Sequence, residues 1–474
     1  RGGRLRYLFD ARQANCGFRF PVPRPVDFPG VTSRSSKAVP PPVSLPTQGI
    51  TVGENVYRGM RQPIHMLDDD RRRHTYIVGQ TGTGKSSLLL NMIMQDIEAG
   101  KGVGVLDPHG ELIDEVISRI PRHRVKDVYY INPENTETVV GLNMLHYRDE
   151  IDRDSAVNHL LEIFYRLYSH VPEAMGPAFE MYFRNAALLE MADAEKVPML
   201  DGVLRVFSDK EYRHKQLEKC VDPLVKEFWN MAQKSTGDAG LENIAPYITN
   251  KLSRILYNKL IRRMLLQGGS TIDFEEILNG RRILLVDLCK GKLGDMSSAF
   301  LAMVISSMIQ RAAFLRTTAQ NKHQLADFYL YIDEFQNVAT DSFVTILSEA
   351  RKYRLNAILA NQYVHQIPDD VREAVWGNVG TIISFRAGSQ DAKLLEQDFA
   401  PTITRDDLMN LPNYQAYVKT LAQGEAIQAF GMQTVLNASH SDPAVVREIE
   451  QGVMRYSKPA QEVDASISER WAAS

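Results

Sequence analysis

Cysteine is scarce: the 474 residues include three, Cys16, Cys220 and Cys289, far apart and without a C-x-x-C pair. That spacing supports neither a zinc site nor a disulfide framework and suits a reducing compartment. Also missing is a run of roughly 18 apolar residues, the length that crosses a bilayer. The nearest approach, Ala299 to Leu315, is broken by Ser306, Ser307, Gln310 and Arg311, and is expected to be a buried core helix. Excess charge is lacking too. A formal net charge of −3 excludes a generally basic coat, so any nucleic-acid contact must be local. The chain begins at Arg1 without a signal-peptide pattern, and a fragment of a longer protein is expected. The rest is ordinary for a globular protein, 44% hydrophobic and 24% charged, and large enough for a sizeable core.

Against that background, residues 79 to 86 stand out as GQTGTGKS, entered by the apolar run Thr75-Tyr76-Ile77-Val78. Gly79, Gly84, Lys85 and Ser86 fit the spacing G-x-x-x-x-G-K-[ST] of a phosphate-binding loop. Glycines allow successive N–H groups of such a loop (Gly79, Gln80, Thr81, Gly82, Thr83, Gly84, Lys85, Ser86 and Ser87) to turn toward an anion. Lys85 brings a cation to the β- and γ-phosphates, and the Ser86 hydroxyl is a hard ligand for Mg²⁺. Leu88, Leu89, Met92 and Ile93 recur at helical spacing before Gly100, so a helix leaves the loop with its positive end toward the phosphates. These residues imply binding of a nucleoside triphosphate, with ATP and Mg²⁺ as cofactors.

In chain order, residues 1–49 are proline-rich and expected to form a linker or surface-hugging arm. Ile50 to Leu67 reads as short strands covering the sheet edge, and Asp68 to His74, DDDRRRH, as a solvated turn. Short apolar strands at 102–106 and 128–131, separated by helical stretches, predict parallel strands buried on both faces. Strand signal then vanishes. Helical stripes (Ala156, Leu160, Leu161, Phe164, Leu167; Phe179, Met181, Tyr182, Ala186, Leu189; Leu252, Ile255, Leu256, Leu260) dominate 151–267. Lys251, Arg254, Lys259, Arg262 and Arg263 make the last helix basic, expected as a solvated face with nucleic-acid contact the alternative. Strands resume at 283–286, 328–332, 357–360 and 381–385, with others at 416–420 and 426–432. The expected fold is α/β: a P-loop NTPase core with a mostly parallel central sheet, in two parts (50–150 and 268–436), and an inserted all-α domain at 151–267; the resemblance drawn below implies that this core is RecA-like. A helix near Val445 to Met454 and a polar, mobile tail are expected in 437–474.

The second chemical signal is FYLYIDE, Phe328 to Glu334. A buried strand that delivers two carboxylates to its end can hold Mg²⁺ through Asp333 and polarise the attacking water through Glu334. GTP-switch and kinase P-loop families seldom carry this pair, so an ATPase is favoured. A further strand ends in Asn361 and Gln362, where a neutral amide can bond the γ-phosphate and the water; the alternative for Gln362 is an ordinary turn amide.

GQTGTGKS, the DPHG after the second strand, YIDEFQN, SEARKYRL and ANQ, in this order over about Ile50 to Val435, resemble the HerA–FtsK superfamily, most closely its type IV secretion coupling proteins and conjugative DNA-transfer ATPases. The ILLVDLCKGKLG stretch is also typical of that family. The resemblance implies a hexameric RecA-like motor with an inserted all-α domain, self-associating into a ring, acting on DNA and working with other secretion or conjugation components. It implies an arginine finger at Arg351, acting in a neighbouring subunit's site, with Arg386 the second candidate. The alternatives are a helix-face ion pair, Glu349 being close to Arg351, and a strand-end surface charge. Asp107 would lie near the nucleotide or cap the turn into Glu111-Leu112. Lys290, Gly291, Lys292 and Gly294 form a candidate flexible, basic channel loop. A cytoplasmic location is expected, or the inner face of the membrane through an N-terminal region or partner. Two other functions stay open: an ATPase that moves or assembles protein in a secretion system, and a non-motor ATP-binding scaffold.

Overall fold

The computed structural model describes residues 36–235, 240–316, 325–339, 341–436 and 439–472; Cys16 and Pro21, Pro23, Pro25 and Pro29 lie outside them. Among the described residues fifteen strands run β1 (Ile50–Tyr57), β2 (Met60–Met66), β3 (Thr75–Val78), β4 (Gly102–Asp107), β5 (Val128–Ile131), β6 (Thr138–Val139), β7 (Ile283–Asp287), β8 (Phe328–Ile332), β9 (Leu355–Asn361), β10 (Thr381–Ser384), β11 (Gln415–Lys419), β12 (Leu421–Ala422), β13 (Glu425–Ala426), β14 (Phe430–Gln433) and β15 (Lys458–Pro459). Eleven share one sheet in the order β2-β1-β14-β11-β10-β3-β9-β8-β4-β7-β5.

From β10 to β5 every neighbouring pair is parallel. Strands β3, β8 and β9 are buried at every position, as a sheet covered on both faces by helices requires. The other four strands add on antiparallel beyond β10. So β1 and β2 extend the sheet instead of covering its edge. The arm residues 36–49 follow that margin: Lys37 O accepts from Tyr417 Oη at 2.8 Å, and Val39 O accepts from Asn55 Nδ2 at 2.8 Å and from Gly431 N at 3.1 Å.

Helix α1 (Lys85–Glu98) leaves β3 through the loop, and α2 (Glu111–Ile117) follows β4. Seven helices then run from α3 (Glu150–Leu167) to α9 (Lys259–Leu265), spanning the stretch read as helical. Phe164 packs against Phe179 and Phe183 and also against Phe300, joining these helices to α10 (Asp295–Leu315). Met181, expected in an apolar stripe, is instead 48% exposed. The basic stretch is two helices, broken at Asn258, which caps α9. Its charges are not all solvated: Lys251 sits over the Tyr247 ring at 3.5 Å, and Arg263 chelates Asp464 at 2.8 and 2.6 Å. By length and composition α10 could cross a membrane, but 78% of its apolar window is buried inside the protein, which makes it a core helix.

Three further expectations are corrected. The run Asp68–His74 is largely an interior junction, because its polar groups other than the exposed Asp69, which pairs with Arg72, find partners distant in sequence. Arg71, 1% exposed, donates to Asp96 at 2.8 and 2.6 Å and to Tyr331 Oη at 3.0 Å, while its guanidinium lies 3.9 Å over the Tyr329 ring. Asp70 accepts from the N–H groups of Gln423 and Gly424 at 3.0 and 2.7 Å. Lys290–Leu293 is a helical turn with Lys292 paired to Glu134 and Lys290 to Asp295 at 3.5 Å, not a loose loop. The tail is ordered as well: after the helix Pro443–Gly452, β15 pairs with β6, and the helix Ala460–Ala472 buries Ala460, Val463 and Ile467.

Candidate nucleotide site

Parallel strands β3, β4, β8 and β9 deliver their carboxyl ends to one side of the sheet, the usual ligand side of such a fold. A cleft of 760 Å³ opens there, lined by Thr81, Gly82, Gly84, Lys85, Ser86, Ser87, Asp107, Asp333, Glu334 and Gln362. The sequence therefore scatters these residues over about three-fifths of the chain and the topology gathers them. Strand β9 lies between β3 and β8, so Asn361 and Gln362 stand between the phosphate loop and the carboxylates.

The loop needs its glycines for two physical reasons. A Cβ on Gly79 would stand 2.4 Å from Phe385 Cβ, and Gly84 has φ +118°, a conformation L side chains rarely adopt. Gly79 N donates to Asn361 O at 3.2 Å, Gln80 N to Arg386 O at 3.0 Å, and Tyr414 N to Thr83 O at 2.7 Å. Thr83 Oγ1 donates to Gln80 O at 2.6 Å. These bonds fix the loop from three sides. Gly84 supplies no capping side chain to α1, leaving that helix's first N–H groups for an anion. Lys85, 8% exposed, donates from Nζ to Gly79 O at 2.5 Å, so its ammonium stays over the loop. Burial lowers its pKa, while Asp333 and Glu334 draw it back up.

Across the cleft, burial and then the charges of Asp107 and Glu334 push the Asp333 carboxyl up to about 6. Carboxylates that repel one another across a cleft with one lysine make a surface whose charge a divalent cation would offset. The chemistry fits Mg²⁺ held by Ser86 and Asp333 and a triphosphate held by the loop. Asp107 both lines the cleft and caps the next turn: Oδ1 accepts from His109 N at 2.9 Å, Oδ2 from Leu112 N at 2.8 Å. Glu334 has φ 51° and ψ 52°, a strained conformation for a residue with a side chain.

Gln336 joins the site beyond the residues expected, and Asn361, expected at the end of its strand, meets it there. Gln336 Nε2 donates to Glu334 Oε2, and Asn361 Nδ2 donates to Gln336 Oε1 at 2.6 Å. The available signal was a glutamine two places after Glu334, and an asparagine ending β9. The arginines separate. Arg386 donates to Gln80 Oε1 and Leu411 O, both at 3.3 Å, against its own chain's loop. Arg351 is exposed in the turn before β9, at the opposite end of that strand, about 20 Å from Asn361 at strand rise. Glu349 pairs with Lys352 at 3.8 Å and accepts from Tyr353 Oη at 3.0 Å; among the described residues Arg351 has no ion pair.

A glycine loop opening a helix, and two carboxylates ending a strand one place removed in a parallel sheet, define a P-loop ATPase of RecA-like fold. Residues 50–288 match the family described as the central domain of the helicase HerA, and residues 327–398 that described as the TraM recognition site of TraD and TraG. The first match covers 239 of 474 residues (288 − 50 + 1): the chain belongs to the HerA helicase central-domain family. No curated protein sequence matches it. Among solved structures, the bacterial conjugative coupling protein TrwBdeltaN70 superposes with TM-score 0.61 at 16% identity, over 84% of this chain and 90% of that one. TrwB in complex with ADP and Mg²⁺ gives 0.60 at 16%, over 84% and 92%. VirB4 of Thermoanaerobacter pseudethanolicus gives 0.52 at 13%, over 85% and 99%. At these identities the likeness is one of fold.

Proposed function

We propose that the chain is an ATP-hydrolysing motor that assembles as a ring, a hexamer by analogy with its family, and moves DNA in conjugation or type IV secretion. The observation that carries this reading is the convergence of Lys85 and Ser86 with Asp333 and Glu334 in one cleft. Bound Mg²⁺ would neutralise phosphate charge. Lys85 holds the β- and γ-phosphates, Glu334 takes the proton of the attacking water, and Gln362 orients that water. Arg386 braces the loop of its own chain through Gln80. Arg351, exposed and far from its own cleft, enters the site of a neighbouring subunit, where a guanidinium offsets charge developing on the transferred phosphoryl group. Action on DNA is supported by the match to the helicase HerA family, and work with a partner by the region matching the TraM recognition site of TraD and TraG. The motor works in the cytoplasm or against the inner face of the membrane.

A second reading, an ATPase that moves or assembles protein, draws on the net charge of −3 and on Lys251, Arg263 and Lys292 being engaged within the chain. ATPase assays with single- and double-stranded DNA, beside mass measurement of the oligomer, separate the two. Stimulation by DNA and a ring mass are expected; indifference to both forms of DNA sinks the DNA-motor reading, and a persistent monomer sinks the ring.

A further inference from the structure

We propose that Gln336 is a positioning residue for hydrolysis, holding one oxygen of Glu334 and tying that carboxylate, through Asn361, to the phosphate loop. The inference rests on Glu334 as the group that activates water. Its chain of contacts crosses three strands' ends. Gly79 N donates to Asn361 O, Asn361 Nδ2 donates to Gln336 Oε1 at 2.6 Å, and Gln336 Nε2 donates to Glu334 Oε2.

The sense of both amides follows from charge. A carboxylate only accepts, so Gln336 must present its NH₂ to Glu334, leaving its oxygen for the NH₂ of Asn361. The reversed pair would set the Gln336 oxygen against the carboxylate. Asn361 is 0% exposed, and its Oδ1 has no hydrogen-bond partner among the described residues. A buried amide with one group unmet is costly, and here its other group aims Gln336.

With Oε2 held, Oε1 is the oxygen left to take a proton. In the step, the water oxygen bonds to the γ-phosphorus and the bond from that phosphorus to the leaving ADP oxygen breaks. The water's proton goes to Oε1. A neutral amide steers the carboxylate through its N–H group while bringing no charge to it. The link through Asn361 also makes the carboxylate's position respond to the loop that grips the phosphates.

The test is steady-state ATP hydrolysis by the full chain carrying Gln336→Leu, with nucleotide affinity measured alongside. Turnover is expected to fall about 10- to 100-fold, the usual loss when a supporting partner is removed, with KM and ADP affinity unchanged. In a Glu334→Gln background the same substitution should leave residual turnover where it was, because the group it positions is gone. Should the leucine variant be unstable, Gln336→Met, closer in shape, gives the same loss. Wild-type turnover in the single variant, a raised KM at unchanged turnover, or an additive loss in the Glu334→Gln background overturns the inference. A wild-type chain that hydrolyses no ATP overturns the ATPase reading itself.

Discussion

Replacing Arg71 by leucine should destabilise the fold by about 3 kcal/mol, the low end for breaking a buried ion pair. The substitution strips two hydrogen bonds, at 2.8 and 2.6 Å, from an Asp96 carboxylate that is 0% exposed. Charge-assisted bonds contribute roughly 1.5–3 kcal/mol each, so the gross loss is larger. Tyr331 Oη, at 2.5 Å, and Lys101 Nζ, at 3.3 Å, stay with Asp96 and offset part of it. Urea unfolding followed by circular dichroism measures the change. Pairing Arg71→Leu with Asp96→Leu removes the orphaned charge, so the double variant should lose much less than the two single losses added together. A single variant within about 0.5 kcal/mol of wild type, the range of ordinary surface changes, or strict additivity in the double variant, would refute the view of Asp68–His74 as an interior charged junction.

Other outcomes follow from the site. Lys85→Ala should abolish the stabilisation that added nucleotide gives to thermal unfolding; a shift equal to wild type would remove Lys85 from phosphate binding. Asp333 holds its proton up to about 6 in the fold, against an ordinary value of 3.8. The nucleotide-free protein should therefore gain stability as pH falls from 7 through 6 toward 4, by at most about 3 kcal/mol from this group. Mg²⁺-dependent nucleotide binding should weaken over the same fall, and Asp333→Asn should flatten both trends; an unchanged slope in that variant refutes the assignment. Mixing Lys85→Ala with Arg351→Ala chains, each inactive alone, should restore hydrolysis where one supplies the loop and the other the arginine, and no recovery would place Arg351 outside a shared site.

The nucleotide loop, the strand before it and the carboxylate pair were legible because each is a local pattern with a local cause. The parallel strands were legible for the same reason: β5 and β8 fall where continuous apolar runs predict them. What escaped depends on partners far along the chain. DDDRRRH reads as cancelling surface charge until Asp96 and Tyr331 come to meet Arg71. The tail reads as polar until Val463 and Ile467 find a buried face and Arg263 chelates Asp464. Gln336 stood in YIDEFQN, but only the position of Asn361 on the neighbouring strand shows what it touches. Arg351 and Arg386 looked alike as strand- and helix-end arginines, and strand direction is what sets them at opposite ends of the sheet.

The most direct test of the account is multiple-turnover phosphate release from ATP by the wild-type chain and by Glu334→Gln, with ATP binding measured in both. The account predicts Mg²⁺-dependent turnover in the wild type, and in the variant undiminished binding with turnover lost. Comparable turnover in the two chains would contradict it, because the carboxylate at the end of β8 would then have no part in activating water.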